Sequence, residues 1–141
     1  MFIKKLVILL ISATCLLAQS FALKDSVEGI IIKNQFEKDY VIGTKIKRLV
    51  VSFEKDISED LNGFLGSKES DFLEKNQTLF IANISKMPSI VASLFAIPKM
   101  QKYEYNILLI DNEKDNRFVS KEGKVTIYEI DKGIIQKVCF L

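Results

Sequence analysis

Apolar residues in this chain follow two alternating rhythms: short unbroken runs, and stripes spaced three and four apart. Ile30 to Ile32 and Tyr40 to Ile42 flank the polar stretch Asn34 to Asp39, which predicts a β-hairpin. Ile46 to Phe53 contains Leu49-Val50-Val51 without alternation, the pattern of a strand buried on both faces. Ile57, Leu61, Phe64, Leu65, Phe72 and Leu73 then share one helical face. Asp56 followed by Glu59 resembles a capping arrangement at its start. Gly63 and Gly66 weaken its middle and predict a bend or a restart at Ser67.

The alternation continues to the end. Thr78 to Ile84 is a second buried strand, and Tyr105 to Ile110 a third. Between them Pro88 opens a helix with the stripe Ile90, Val91, Leu94 and Phe95, and Pro98 closes it. Val125 to Ile130 and Ile134 to Phe140 are strands joined by the three-residue loop Asp131-Lys132-Gly133, with glycine where positive φ is required. Buried strands alternating with helices imply parallel pairing and right-handed crossovers. The expected fold is α/β: an N-terminal hairpin, then βαβαβ, then a C-terminal β-hairpin, forming a mixed sheet with helices on at least one face. No repeat, low-complexity tract or linker interrupts it, so residues 23–141 are read as a single domain.

The first 22 residues have a different character. Lys4 and Lys5 precede the apolar run Leu6 to Leu17, and Ser20-Phe21-Ala22 places small residues where a secretory signal is cut. The run is too short for the roughly 20 residues a spanning helix needs. A cleaved signal peptide, cut after Ala22, is therefore expected, with a periplasmic, bacterial destination. Removing Lys4 and Lys5 leaves equal numbers of basic and acidic residues. A neutral chain has no net field to draw nucleic acid or an anionic membrane, so nucleic acid is not an expected partner and membrane contact is expected only during export. Cys15 leaves with the signal, and Cys139 becomes the single thiol, which excludes an internal disulfide and makes the apolar core the source of stability.

The strand RLVVSF before a helix, the ISKMP turn into the next helix, and NILLID leading to a terminal hairpin resemble the thioredoxin-like superfamily, in particular its small exported bacterial members that begin with a peroxiredoxin-type hairpin. The resemblance covers nearly the whole of residues 23–141. It implies a Cys-x-x-Cys motif where the first central strand meets its helix, and a cis-proline just before the strand facing that motif. At the first place this chain has Phe53-Glu54-Lys55-Asp56-Ile57-Ser58-Glu59, without cysteine. At the second, Glu104-Tyr105 stand where proline is expected. The usual final helix is missing too. Thiol–disulfide exchange begins with a thiolate, so the motif position cannot run it.

Other chemistries narrow further. The chain has no histidine, which excludes Ser-His-Asp, Cys-His and His-metal sites. No G-x-G-x-x-G opens a helix, so no flavin or other dinucleotide site is read, and no cofactor is expected. Glu54, Asp56, Glu59 and Asp60 cluster at the motif position. They fit a cation site or an acid/base pair, and more simply they are acids favoured by a helix N-terminus. Asp111 to Glu122 spaces acids like a calcium loop but has Asn116 where glycine belongs. Lys99, Lys102, Tyr103 and Tyr105 form a candidate partner patch or a solvated loop. Glu74 to Thr78 fits an extended bacterial glycosylation sequon at Asn76. Cys139 is read as core, sharing strand parity with Ile135, with intermolecular pairing as the other possibility. The expected function is non-catalytic binding of a protein or small ligand through the edge at Glu54, Asp56 and Glu59. The alternative is a redox-associated or flavin-linked oxidoreductase component.

Overall fold

The computed structural model describes residues 21–141. The expected signal lies outside them apart from Phe21 and Ala22. Strands β1 (Ile31–Lys33) and β2 (Asp39–Val41) form a separate antiparallel pair. The main sheet contains β3 (Arg48–Ser52), β4 (Thr78–Asn83), β5 (Ile107–Ile110), β6 (Thr126–Asp131) and β7 (Ile134–Phe140), in the order β5-β4-β3-β6-β7. The three buried runs pair in parallel, with Val50 opposite Phe80 and Ile81 opposite Leu108. β6 and β7 add the antiparallel half. This is the mixed α/β architecture the sequence predicts.

Period-two alternation divides each run between two cores. Leu49, Val51, Leu79, Ile81, Leu108 and Ile110 join Tyr128, Ile130 and Ile135 on one face, beneath Val27, Ile32, Ile42 and Phe118. Phe80, Ala82 and Ile107 face the other way, beneath Leu65, Ala92 and Met100 from the helices. One face is thus covered by helices and the other by non-helical chain. Gln35, fully buried, ties the β1–β2 loop to this framework. Its Nε2 donates to the Tyr105 carbonyl at 2.8 Å and its Oε1 accepts from the Ile107 amide at 2.9 Å.

The helical connections follow the sequence pattern at the glycines and depart from it in three other ways. α1 (Lys55–Gly66) ends at Gly66, and the chain restarts as the short α2 (Phe72–Lys75), as the glycines suggest. Its N-cap is Glu54, with no side-chain capping bond, so Asp56 and Glu59 form no capping box. Pro98 does not end the next helix. α3 (Ser89–Val91) runs into a π-helical turn, Ala92–Ala96, and on into α4 (Ile97–Met100). The wider π turn makes room for the proline ring, which would crowd an ordinary α turn. The apolar stripe of this helix is also turned outward: Ile90 is 68% exposed, Leu94 63% and Phe95 68%, while Ala92 and Met100 are buried.

The last hairpin is tighter than predicted. Asp131 pairs with Ile134, leaving a two-residue loop. Lys132 (φ 50) and Gly133 (φ 82) are both left-handed, the geometry of a type I′ turn. A bulge between Glu129 and Ile130 then shifts register, so Ile130 meets Ile135 while Tyr128 meets Val138. The extra residue in β7 reverses parity. Val138 therefore shares Ile135's core, and Cys139 faces the helix side instead.

The N-terminal segment straps the free edge of β7. Lys24 N–H donates to the Ile135 carbonyl at 2.8 Å, Ile135 N–H to the Asp25 carbonyl at 2.9 Å, and Val27 N–H to the Gly133 carbonyl at 2.8 Å. A Cβ at Gly133 would stand 3.1 Å from Glu28 Cβ, so strap and turn fit closely. Ahead of the strap, the Phe21 ring packs edge-on against Phe118 at 5.1 Å, and Phe118 against Tyr128 at 5.8 Å.

Candidate functional site

Parallel strands release their chains at the same edge, and crevices open there. β3 and β4 do so at Phe53-Glu54 and at Ile84-Ser85. The helices that follow them leave a cavity of 370 Å³ between their starts. Phe53, Ile84, Met87, Val91, Ala96 and Met100 give it apolar walls, and Asn62, Asn83 and Tyr103 also reach it. Lys55, Lys86 and Lys99 stand around it with Glu54 and Glu59. Beneath the α1 start, the Ser52 and Ser58 hydroxyls are 2.6 Å apart, so a buried hydroxyl is satisfied within the chain. An apolar pocket with a few placed polar groups suits a small ligand or an inserted side chain.

The three acids of the expected binding edge reach this region but do not converge. Glu54 Oε2 accepts from the Gly123 N–H at 3.0 Å, joining α1 to the β5–β6 loop. Glu59 lies 3.9 Å from Lys55 Nζ and 3.8 Å from Lys99 Nζ. Asp56 is exposed. Among the described residues, no group of three His, Cys, Asp or Glu side chains stands close enough to hold a metal ion. The calcium-like stretch is organised by an internal pair: Arg117 Nε and NH2 donate to Asp115 at 2.9 and 2.8 Å. That guanidinium holds the Asp115 carboxyl below its ordinary range.

The lysine–tyrosine patch separates into two kinds of residue. Tyr105 is buried, and its hydroxyl donates to Asn62 Oδ1 at 2.7 Å. Burial, then the neighbouring Tyr103, pushes its phenol well above the ordinary range. Tyr103 stacks on it at 5.3 Å and lines the cavity, while Lys99 and Lys102 are exposed. Asn62, which lines the cavity, and Tyr105 are thus one polar strut. Only the helical spacing of Asn62 with Leu65 hinted that Asn62 lies inward. The sequon residue Asn76 is exposed, but its amide already donates to the Phe72 carbonyl at 2.7 Å. Cys139 lies away from this edge, in a 540 Å³ groove with Val50, Phe64 and Ile127.

Among solved structures, the chain superposes on the thioredoxin domain of a thiol-disulfide oxidoreductase from Bacteroides vulgatus with a TM-score of 0.53, at 13% identity, over 84% of this chain and 89% of that one. The fold is thioredoxin-like. An uncharacterized thioredoxin-like protein from Porphyromonas gingivalis matches at TM-score 0.50 and 18% identity, over 84% of this chain and 82% of the other. A peroxiredoxin-like protein from Aquifex aeolicus matches at 0.50 and 11%, over 86% and 77%. No family model and no curated protein matches the chain.

The thioredoxin-like sheet relocates one sequence expectation. The strand beside the end of β3 on its antiparallel side is β6, not β5: Val51 faces Thr126. The position expected to carry proline is therefore Lys124-Val125, where β6 begins, and not Glu104-Tyr105. Counting strands along the sequence cannot show which one returns beside β3. Neither Lys124 nor Val125 is proline, and Phe53 to Glu59 at the facing position has no cysteine.

Proposed function

We propose that this is an exported, periplasmic thioredoxin-like protein that acts by binding, without thiol–disulfide chemistry of its own. Its ligand is an apolar side chain of a protein partner or a small apolar molecule, taken into the cavity at the β3–β4 edge with Glu54 and Glu59 at the rim. The cavity itself carries this reading: an apolar-walled opening stands where the fold's redox motif would be, and the sequence there supplies carboxylates instead of thiols.

The test is residue-resolved binding. Isotope-labelled protein titrated with the apolar probe anilinonaphthalene sulfonate is expected to show amide shifts at Ser58, Asn62, Asn83, Met87 and Ala96. Ala96→Phe, which fills the cavity, abolishes them. Shifts confined to the Cys139 groove overturn the assignment. In parallel, the protein and its Cys139→Ser variant are expected to leave insulin unreduced alike, and turnover that disappears with Cys139 overturns the binding-only reading.

A further inference from the structure

We propose that the outward face of the helical stretch Ser89–Met100 docks on an anionic lipid bilayer. Ile90, Val91, Leu94 and Phe95 are 68%, 41%, 63% and 68% exposed. Ile90 with Leu94 and Val91 with Phe95 are spaced four apart, so the four side chains form one contiguous stripe. Large apolar groups gathered this way on a surface mark an interaction site; scattered ones do not. Packing explains how the stripe is held outward. Ala92 and Met100 occupy the buried side in one core cluster with Phe80, Ala82 and Ile107, which leaves the larger groups of the stripe outside.

Charge selects the occupant. From Ile84 to Tyr103 the only charged residues are Lys86, Lys99 and Lys102; no carboxylate interrupts them. Lys86 and Lys99 stand beside Val91 at the cavity, joined by Lys55 from α1. Two acids approach from α1 and its N-cap. Glu59 makes only long, exposed pairs with Lys55 and Lys99, which hold lysines weakly. Glu54 is engaged by the Gly123 amide. An apolar face with an aromatic residue, flanked by the exposed Lys86, Lys99 and Lys102, matches the boundary between acyl chains and anionic headgroups. The stretch is about 18 Å long, so it lies along that boundary, and no helix among the described residues is long and apolar enough to cross a membrane. The neutral balance of residues 23–141 concealed this because it averages over the surface, whereas a docking face acts locally.

The experiment is cosedimentation with vesicles of equal parts phosphatidylcholine and phosphatidylglycerol, against vesicles of phosphatidylcholine alone. The protein is expected to bind the anionic vesicles roughly tenfold or more tightly, and less so as salt rises. Leu94→Glu with Phe95→Glu is expected to weaken binding by about a hundredfold with an unchanged melting temperature. Lys99→Gln with Lys102→Gln is expected to weaken it roughly tenfold on anionic vesicles only. Ala96→Phe, which closes the cavity, leaves vesicle binding intact, so the two surfaces are tested independently. No partition into anionic vesicles overturns the proposal, as does partition that survives the double glutamate variant. A dimer in light scattering that the glutamates dissolve, without vesicle binding, also overturns it and assigns the face to a second copy of the chain.

Discussion

The helix after β3 and the helix after β4 have similar apolar spacing but bury it differently. In α1, Leu65 is buried and Leu61 packs against the same core, although Phe64 remains half exposed. Between Ser89 and Met100 the large residues face solvent, and the core receives Ala92, Ala96, Ile97 and Met100. Periodicity locates a stripe on a helix, but the space available against the sheet decides which side is buried. Over Phe80 and Ile107 the sheet already presents bulky groups. There the helix is accommodated through alanines and an adaptable methionine.

Substitutions sharpen this contrast. Leu65→Ala in α1 is expected to lose about 2–5 kcal/mol in chemical denaturation, through burial lost and a cavity left behind. Ala92→Leu is next, at about 1–3 kcal/mol by thermal melting, because Ala92 is buried in the helix-side core and does not border the cavity that could take a larger side chain. Tyr105→Phe removes the hydroxyl that braces α1 against the start of β5, for about 1 kcal/mol. It also changes the alkaline limb of stability. The raised phenol means that Tyr105's contribution is intact below the ordinary phenol value of 10.0 and is lost as pH rises past it. Stability measured above that pH should therefore fall less steeply in the variant. Tyr40 and Tyr128 are raised as well, so the slope is reduced rather than removed. Leu94→Ala is the smallest change, within about 0.5 kcal/mol. A loss like that of Leu65→Ala would show that the second helix buries its stripe after all.

Much of the architecture was legible because its signals are local. Runs such as Leu49-Val50-Val51 and Thr78 to Ile84 announce strands covered on both faces, and Gly63 with Gly66 announces the break after α1. What escaped depends on registration between distant segments. The bulge opposite Glu129 moves Cys139 to the other side of its strand, and nothing in IIQKVCFL marks Gln136 as the additional residue. Gln35 sits in a polar stretch that reads as a solvated loop, yet it is fully buried because β5 offers it the Tyr105 carbonyl and the Ile107 amide. At the candidate site, strand–helix order puts Phe53 to Glu59 at the junction of β3 and α1, where the structure has it. It does not show that residues between Met87 and Met100 wall a cavity, because spacing alone leaves open which side of a helix faces inward. The acids were expected to act together, but Glu54 turns to Gly123, which is remote in sequence.

The strap over β7 bears on how this protein keeps from sticking to itself. An outermost strand with unpaired amides and carbonyls is a template on which further chains can stack. Residues 24–27 occupy the Gly133–Ile135 part of that template, and farther along the exposed Lys137 supplies a charge that discourages stacking. Proteolysis just after Val27 would strip off this guard while sparing the sheet. The nicked product would then be a folded molecule prone to ordered aggregation.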